Sequence, residues 1–321
     1  MNKGVSIILF IVSSLTGFIL VQTAQAENST AKKILFVDSY HQGYTASSHI
    51  VSGVKHALTG HNIDFKLIEM DSKRNPESAD IKVAALKAKT IIDGYKPDVL
   101  IACDDNAAKY LLEPFYKDGN LPIVFCGINW DASIYGFPFR NMTGIVEVAL
   151  VSEIIRHLKK HSKGNRIGFL GGDRLSERKN RQYYQKRFNI DFAKTYFASS
   201  FEQWQHAFAK LQDEVDMLII TTHAGISDWN DADAQTFVEK HVKIPVATEN
   251  EWEMSHALVG ITKDYKEMGL WSGHAALKIL AGIPPNQIPI TSNKKGKLFF
   301  NTRIAKILGI TEVPELAEIV D

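Results

Sequence analysis

A chain of 321 residues that is 45% hydrophobic, 23% charged and 10% aromatic has the composition of a folded protein with room for two cores. That composition excludes a disordered chain, a collagen-like repeat and a coiled coil. With 37 Lys and Arg against 36 Asp and Glu, charge singles out neither nucleic acid nor an anionic membrane as a partner, and two cysteines are too few for a disulfide scaffold or a Cys-rich zinc site.

Residues 1–26 read as a signal peptide. Lys3 gives a small positive start, residues 5–21 carry no charge, and Ala24-Gln25-Ala26 is the small-x-small pattern of a cleavage site. An uncleaved anchor helix competes, because the apolar run approaches a membrane span in length. The cleavage pattern and the polar stretch 27–33 favour export, with Glu27 as the new N-terminus. The expected location is the periplasm, and the expected mature form is a monomer that is not embedded in a membrane.

From residue 33 onward, strand and helix alternate. Ile34-Leu35-Phe36-Val37 is an apolar run of the kind that forms a strand buried on both faces. A helix follows with Ile50, Val51, Val54, Ala57 and Leu58 on one side. Strands are predicted near 63–69, 99–102 and 123–126, with helices between them, and 143–148 is extended. A second series follows, with strands near 166–170, 191–197, 217–221, 244–248 and 258–262. This alternation predicts an α/β fold of two doubly wound parallel-sheet, Rossmann-like lobes. The tail, with a helix over 264–281, Pro284-Pro285 and a strand at 297–300, reads as chain returning between the lobes. The expected division is 27–145 plus about 263–288 for the first lobe, and 146–262 plus about 289–321 for the second.

Open parallel sheets bind ligands beyond the carboxyl ends of their strands, so two facing lobes form a cleft lined by those loops. The candidates are Ser39, Tyr40, His41, Tyr44, Ser48, Asp104, Asp105, Asn106, Asn129 and Trp130 from the first lobe. From the second lobe come Asp173, Thr222, His223, Glu249 and Trp252. Each also has a plain structural reading: Asp104 as a helix N-cap, Ser47 and Ser48 as caps of their own helix, the tryptophans as packing under loops. Aromatic faces, hydroxyls and acids together suit an amino-acid zwitterion, with carboxylate near the serines and ammonium near the acids. A sugar stacked on the aromatics suits them nearly as well.

Signals for catalysis are weak. No G-x-S-x-G, Walker A or H-E-x-x-H occurs, and Gly171-Gly172-Asp173 does not complete a dinucleotide fingerprint. His157 and His161 stand four apart but flank two lysines, which reads as a solvated face rather than a metal site. No catalytic residue, metal or cofactor is therefore expected. Cys103 and Cys126 end adjacent predicted strands and read as two buried thiols, because bridging parallel neighbours needs unusual geometry.

Several segments resemble the uncharacterised ABC-transporter substrate-binding family of type I periplasmic binding proteins. They are Asp38-Ser39-Tyr40-His41 with Gly43-Tyr44 and Ser48, Asp104-Asp105-Asn106-Ala107, residues 122–129 and 141–147, and Asn301, Ala305 and Leu308-Gly309-Ile310. The same module serves as the extracellular sensor region of some histidine kinases and diguanylate cyclases, and the acidic pair Asp104-Asp105 looks more like that branch. The resemblance implies two lobes joined by three crossings, near 143–148, 260–264 and 288–291, that close on a small molecule. Some relatives bind aromatic amino acids. The expected function is a non-catalytic solute-binding protein that presents its ligand to an inner-membrane ABC permease. The alternatives are a sensor that hands its bound state to a membrane kinase or cyclase, and an exported hydrolase using Asp104, Asp105 or His223 as acid or base.

Overall fold

The structure is a computed structural model that describes residues 30–321, Gln42 excepted. The signal-peptide reading of residues 1–26 lies outside the described residues. Lys32–Asp321 is one contact-dense body.

The first strand, β1 (Lys32–Asp38), shows why the run Ile34-Leu35-Phe36-Val37 has no polar alternation. Ile34 and Phe36 face one apolar cluster while Leu35 and Val37 face another, so both sides of the strand are covered. Helix α1 (Thr45–Leu58), β2 (Ile63–Glu69), α2 (Ser78–Tyr95) and β3 (Val99–Cys103) follow. A short helical passage then runs through α3 (Asp105–Ala107), a π turn at Ala108–Leu112 and α4 (Glu113–Phe115). Next come β4 (Ile123–Asn129) and β5 (Met142–Glu147).

The second series is α5 (Val151–Lys159), β6 (Ile167–Gly172), α6 (Leu175–Phe188), β7 (Phe192–Ala198), α7 (Phe201–Glu214) and β8 (Met217–Ile220). It continues with α8 (Asp231–His241), β9 (Val246–Thr248) and β10 (Val259–Lys263). The chain then runs through α9 (Tyr265–Leu280), β11 (Thr291–Ser292), β12 (Gly296–Asn301), α10 (Thr302–Ile307) and β13 (Glu318–Val320).

Two sheets result, ordered β11-β5-β4-β3-β1-β2 and β13-β12-β10-β9-β8-β6-β7. The two-lobed α/β architecture is as the alternation predicts. Two details differ. β12 lies antiparallel to β10, and β13, which the sequence pattern did not reveal, pairs with β12 as an edge strand.

The chain passes between the sheets at 148–150, at Asp264 and at 293–295. The first and third crossings therefore fall later than 143–148 and 288–291, because β5 up to Glu147 pairs with β4, and Thr291 and Ser292 pair with Ile145 and Val146, all in the first sheet. Buried Asn293 joins two crossings: its Oδ1 accepts from the Val148 N–H at 2.7 Å and its Nδ2 donates to the Val148 carbonyl at 3.1 Å.

On one face of the first sheet, α9 lies directly against α1. A Cβ on Gly269 would collide with the Ile50 carbonyl, and one on Gly53 with the Lys266 carbonyl, so the two glycines set the contact distance. Cys103 and Cys126 are bridged, which corrects the reading of free thiols. They are register partners on β3 and β4, with Cα atoms 4.5 Å apart, a proximity that spacing in the sequence does not reveal. Among the described residues, no helix is long and apolar enough to cross a membrane.

Candidate functional site

Each parallel strand ends where its ladder stops, leaving polar loop residues at the facing edges of both sheets. In the first lobe most of these residues knit the loops to one another. Asp38, the last residue of β1, accepts from the Tyr40 N–H and from Ser47 Oγ, each at 2.9 Å. Burial raises its carboxyl above the usual range. Ser47 thus holds Asp38 instead of capping α1.

Ser39 is fully buried. Its hydroxyl donates to the Cys103 carbonyl at 2.6 Å and accepts from the Ala107 N–H at 2.9 Å, while its carbonyl receives Ser72 Oγ at 2.6 Å. Asn106 donates to that same Ser72 hydroxyl at 2.8 Å. Asp105 accepts from Asn129 Nδ2 at 2.6 Å and from the Tyr135 hydroxyl at 2.7 Å. Ser39, Asp105, Asn106 and Asn129 are thus tied into the loops of this edge by their own hydrogen bonds. Ser48 is exposed on the outer side of the first turn of α1.

Asp104 differs from these neighbours. It is 6% exposed, its backbone sits at φ 75°, and although it occupies the N-cap position of α3 as expected, its side chain forms no capping bond to the turn that follows. A non-glycine residue in that backbone region is strained, and such strain concentrates at functional positions. Gly127 makes the space: a Cβ there would lie 3.2 Å from Asp104 Oδ1. Burial, followed by the charges of Glu147, Asp38 and Asp105, holds the Asp104 carboxyl well above the usual range, against the pull of Lys73. The Tyr40 phenol is raised by burial and by Asp104 beside it. Tyr40 and Tyr44 meet edge to face at 4.9 Å, with the Lys73 ammonium 4.5 Å from the Tyr40 ring centre and 5.2 Å from that of Tyr44. His41 Nδ1 lies 3.3 Å from Asp71.

Between the lobes, the last residues of β5 and β10 meet: Lys263 Nζ is 2.8 Å from Glu147 Oε1. Burial would draw the Lys263 ammonium down, but Glu147, Tyr265 and Glu249 outweigh it and hold the group charged. Trp130 is buried, and its partners come from α6 of the other lobe. Its ring stacks on Tyr183 at 5.3 Å, its Nε1 donates to Asn180 Oδ1 at 3.0 Å, and its carbonyl accepts from Arg187 at 3.1 Å. Its packing role thus joins the two lobes.

In the second lobe, Asp173 is held by Arg178 at 2.7 Å, and Thr222 Oγ1 accepts from the Ala224 N–H at 3.0 Å. His223 stacks on Trp229 at 4.7 Å and places Nδ1 2.6 Å from buried Glu253, which also accepts the His223 N–H at 2.8 Å. Burial pushes Glu253 up, yet the bonds from His223 and His256 hold it below the usual range. His223 is raised by the bond to Glu253. Glu249 is 9% exposed and takes the Tyr184 hydroxyl on Oε1 at 2.7 Å, whereas Trp252 is 62% exposed.

Sequence reasoning missed Lys73, Glu147, Glu177, Tyr184, Glu253 and Lys263. Glu147 and Lys263 lie within one residue of the ends of the predicted segments 143–148 and 258–262 and were findable by the same rule that chose Asp104. Glu177 sits in a strongly polar helix, among Ser176, Arg178 and Lys179, and carried no such signal.

The ABC transporter substrate binding protein family matches residues 41–319. No curated protein matches. Among solved structures, a substrate-binding protein with adhesive properties from Clostridium difficile, in ligand-free open form, is 18% identical, covers 90% of this chain and 99% of its own, and superposes with a TM-score of 0.69. An ABC domain from Streptococcus pneumonia in complex with L-Trp is 18% identical, with coverages of 90% and 100% and a TM-score of 0.53. An arabinose binding protein from Geobacillus stearothermophilus is 12% identical, with coverages of 86% and 99% and a TM-score of 0.53. At these identities the likeness is one of fold.

Proposed function

Because the chain belongs to the ABC transporter substrate-binding protein family, we propose that it captures an amino acid or similar small molecule between its lobes and presents it to an inner-membrane permease. The observation that carries this reading is Asp104, a buried carboxyl at a strand end that is held in a strained backbone and forms no capping bond. An ammonium group placed there forms a charge-assisted hydrogen bond and restores the ionised carboxylate. Tyr40 and Tyr44 supply flat walls beside it. The L-Trp bound to the streptococcal domain makes aromatic amino acids a first choice for testing.

The mechanism is closure of one lobe on the other about the crossings at 148–150, 264 and 293–295. The ligand stabilises the closed form in proportion to its extra contacts there. No bond in the ligand needs to break, and the protein acts without catalysis. The reading includes export to the periplasm and removal of residues 1–26.

Native mass spectrometry of residues 27–321 purified without denaturant is the direct test, followed by release and identification of the bound compound. A stoichiometric amine recovered intact supports the reading. A product of turnover, or a ligand whose affinity is indifferent to Asp104→Asn, overturns it.

A further inference from the structure

The carboxyls at the edge of the second lobe fall into two groups. Glu253 is satisfied, with His223 and His256 against it. Glu177 and Glu249 are not. Glu177 is 4% exposed; its Oε1 receives Asn180 Nδ2 at 3.3 Å and its Oε2 has no hydrogen-bond partner. Glu249 receives Tyr184 on Oε1, and its Oε2 is likewise buried and unbonded. The hydroxyl of Thr221, just past the end of β8, is a third buried polar atom outside good bonding geometry, and it neighbours the Glu177 carboxyl, which it draws down. It crowds the same spot as Glu177, because a Cβ on Gly171 would touch both.

Cations are abundant nearby yet directed elsewhere. On α6, Arg178 binds Asp173, Arg181 binds Gln185, and Arg187 binds the Trp130 carbonyl. Lys263 is held by Glu147. Two buried carboxyls with unfilled acceptor positions, and a hydroxyl whose proton serves Glu177 while its lone pairs stay open, describe a receptor for a donor that carries positive charge. Metal ions are a poor match, because among the described residues no group of three or more His, Cys, Asp or Glu is disposed to hold one.

We infer that Glu177, Glu249 and Thr221 form a cation subsite in the second lobe, and that the ligand class is therefore small molecules with two cationic groups, such as basic amino acids and diamines. One group meets Asp104 in the first lobe and the other meets the glutamate pair, so the ligand spans the cleft. The inference rests on the proposed capture of a small molecule between the lobes and narrows its chemistry.

The test is titration calorimetry and thermal shift on residues 27–321 with L-lysine, L-arginine and putrescine. The comparison set is Nε-acetyl-lysine, norleucine, L-tryptophan, arabinose and succinate. The expected result is binding of the dibasic compounds, with loss on acetylation of the side-chain amine. Glu177→Gln and Glu249→Gln should each weaken that binding by at least about tenfold. Both variants remove a buried charge and keep the side-chain shape, so folding is checked by their melting transitions.

A second readout is pH. Burial holds the Glu177 carboxyl up at about 7, with Thr221, Ser176, Glu249 and Glu253 around it. Tyr184, Lys263 and Tyr265 face Glu249. Affinity for a dibasic ligand should therefore rise with pH through 7 in the native protein, and this rise should be smaller in Glu177→Gln, where only Asp104, also raised by burial, still has to lose a proton. Tight binding of a compound without a second cation, or dibasic binding unchanged in both variants, overturns the subsite and leaves capture standing. A folded protein that binds no compound of either set overturns the capture reading, and the subsite with it.

Discussion

The two facing edges of the molecule use acidic residues in different ways. At the edge of the first lobe, Asp38 and Asp105 are fixed by their own neighbours: Ser47 and the Tyr40 N–H hold one, Asn129 and Tyr135 the other. Ser39, Ser72 and Asn106 complete a closed network, and Asp104 alone stands outside it. At the edge of the second lobe, Glu253 is fully engaged, but Glu177 and Glu249 keep unbonded oxygens. An acidic residue at these edges is thus either tied into its neighbours or left with unfilled acceptor positions. The difference is visible only in where its hydrogen bonds go.

That contrast can be broken by mutation. The largest effect is expected at Trp130, whose ring and N–H connect the edges through Asn180 to Glu177. Trp130→Ala should cost about 3–5 kcal/mol, the usual range for emptying a buried tryptophan site, measured by urea denaturation. A loss below 1 kcal/mol would show that the lobes do not depend on this contact.

Glu177→Gln should act in the opposite direction. The folded carboxyl is held at about 7 against an ordinary value of 4.5. Below pH 4.5 both folded and unfolded chains keep the proton, and Glu177 does not affect stability. Between 4.5 and 7 the unfolded chain ionises first, so stability declines with pH, and above 7 the full penalty of about 3 kcal/mol is present. The Gln variant should therefore be more stable than the native chain at pH 8 and equal to it at pH 4. Melting curves at the two pH values decide this, and a difference that does not change with pH refutes it.

Within the first lobe the expected effects are smaller. Ser39→Ala leaves the buried Ala107 N–H and Cys103 carbonyl short of a partner, for a loss of about 1–3 kcal/mol. Ser48→Ala, on the exposed side of α1, should change stability by less than about 0.5 kcal/mol. Equal losses from the two serines would contradict the assignment of Ser39 as a strut.

Much of this was legible in advance, for identifiable reasons. The run Ile34-Leu35-Phe36-Val37 must be covered on both faces, and that forces a sandwiched parallel strand. Asp104 was visible as an acid at a strand end. Its strained backbone was not, because an aspartate carries no local mark of a positive φ, and the room its carboxyl takes beside Gly127 comes from a different strand. The bridge between Cys103 and Cys126 depends on register between β3 and β4, and an apolar run does not encode its own alignment. The antiparallel course of β12 was hidden because a short strand carries no mark of direction.

The sequence by itself determined the alternation of strand and helix, the two series, and which loops reach the facing edges. Those follow from local patterns of apolar residues, which the hydrophobic effect reads without reference to distant chain. Only the tertiary structure decided which polar side chains remain available. Ser39 and Glu177 look equally ordinary in the sequence. One is fully bonded and the other is not, because hydrogen bonds between residues as far apart as Ser39 and Ala107 form only when separate strands and helices are packed together.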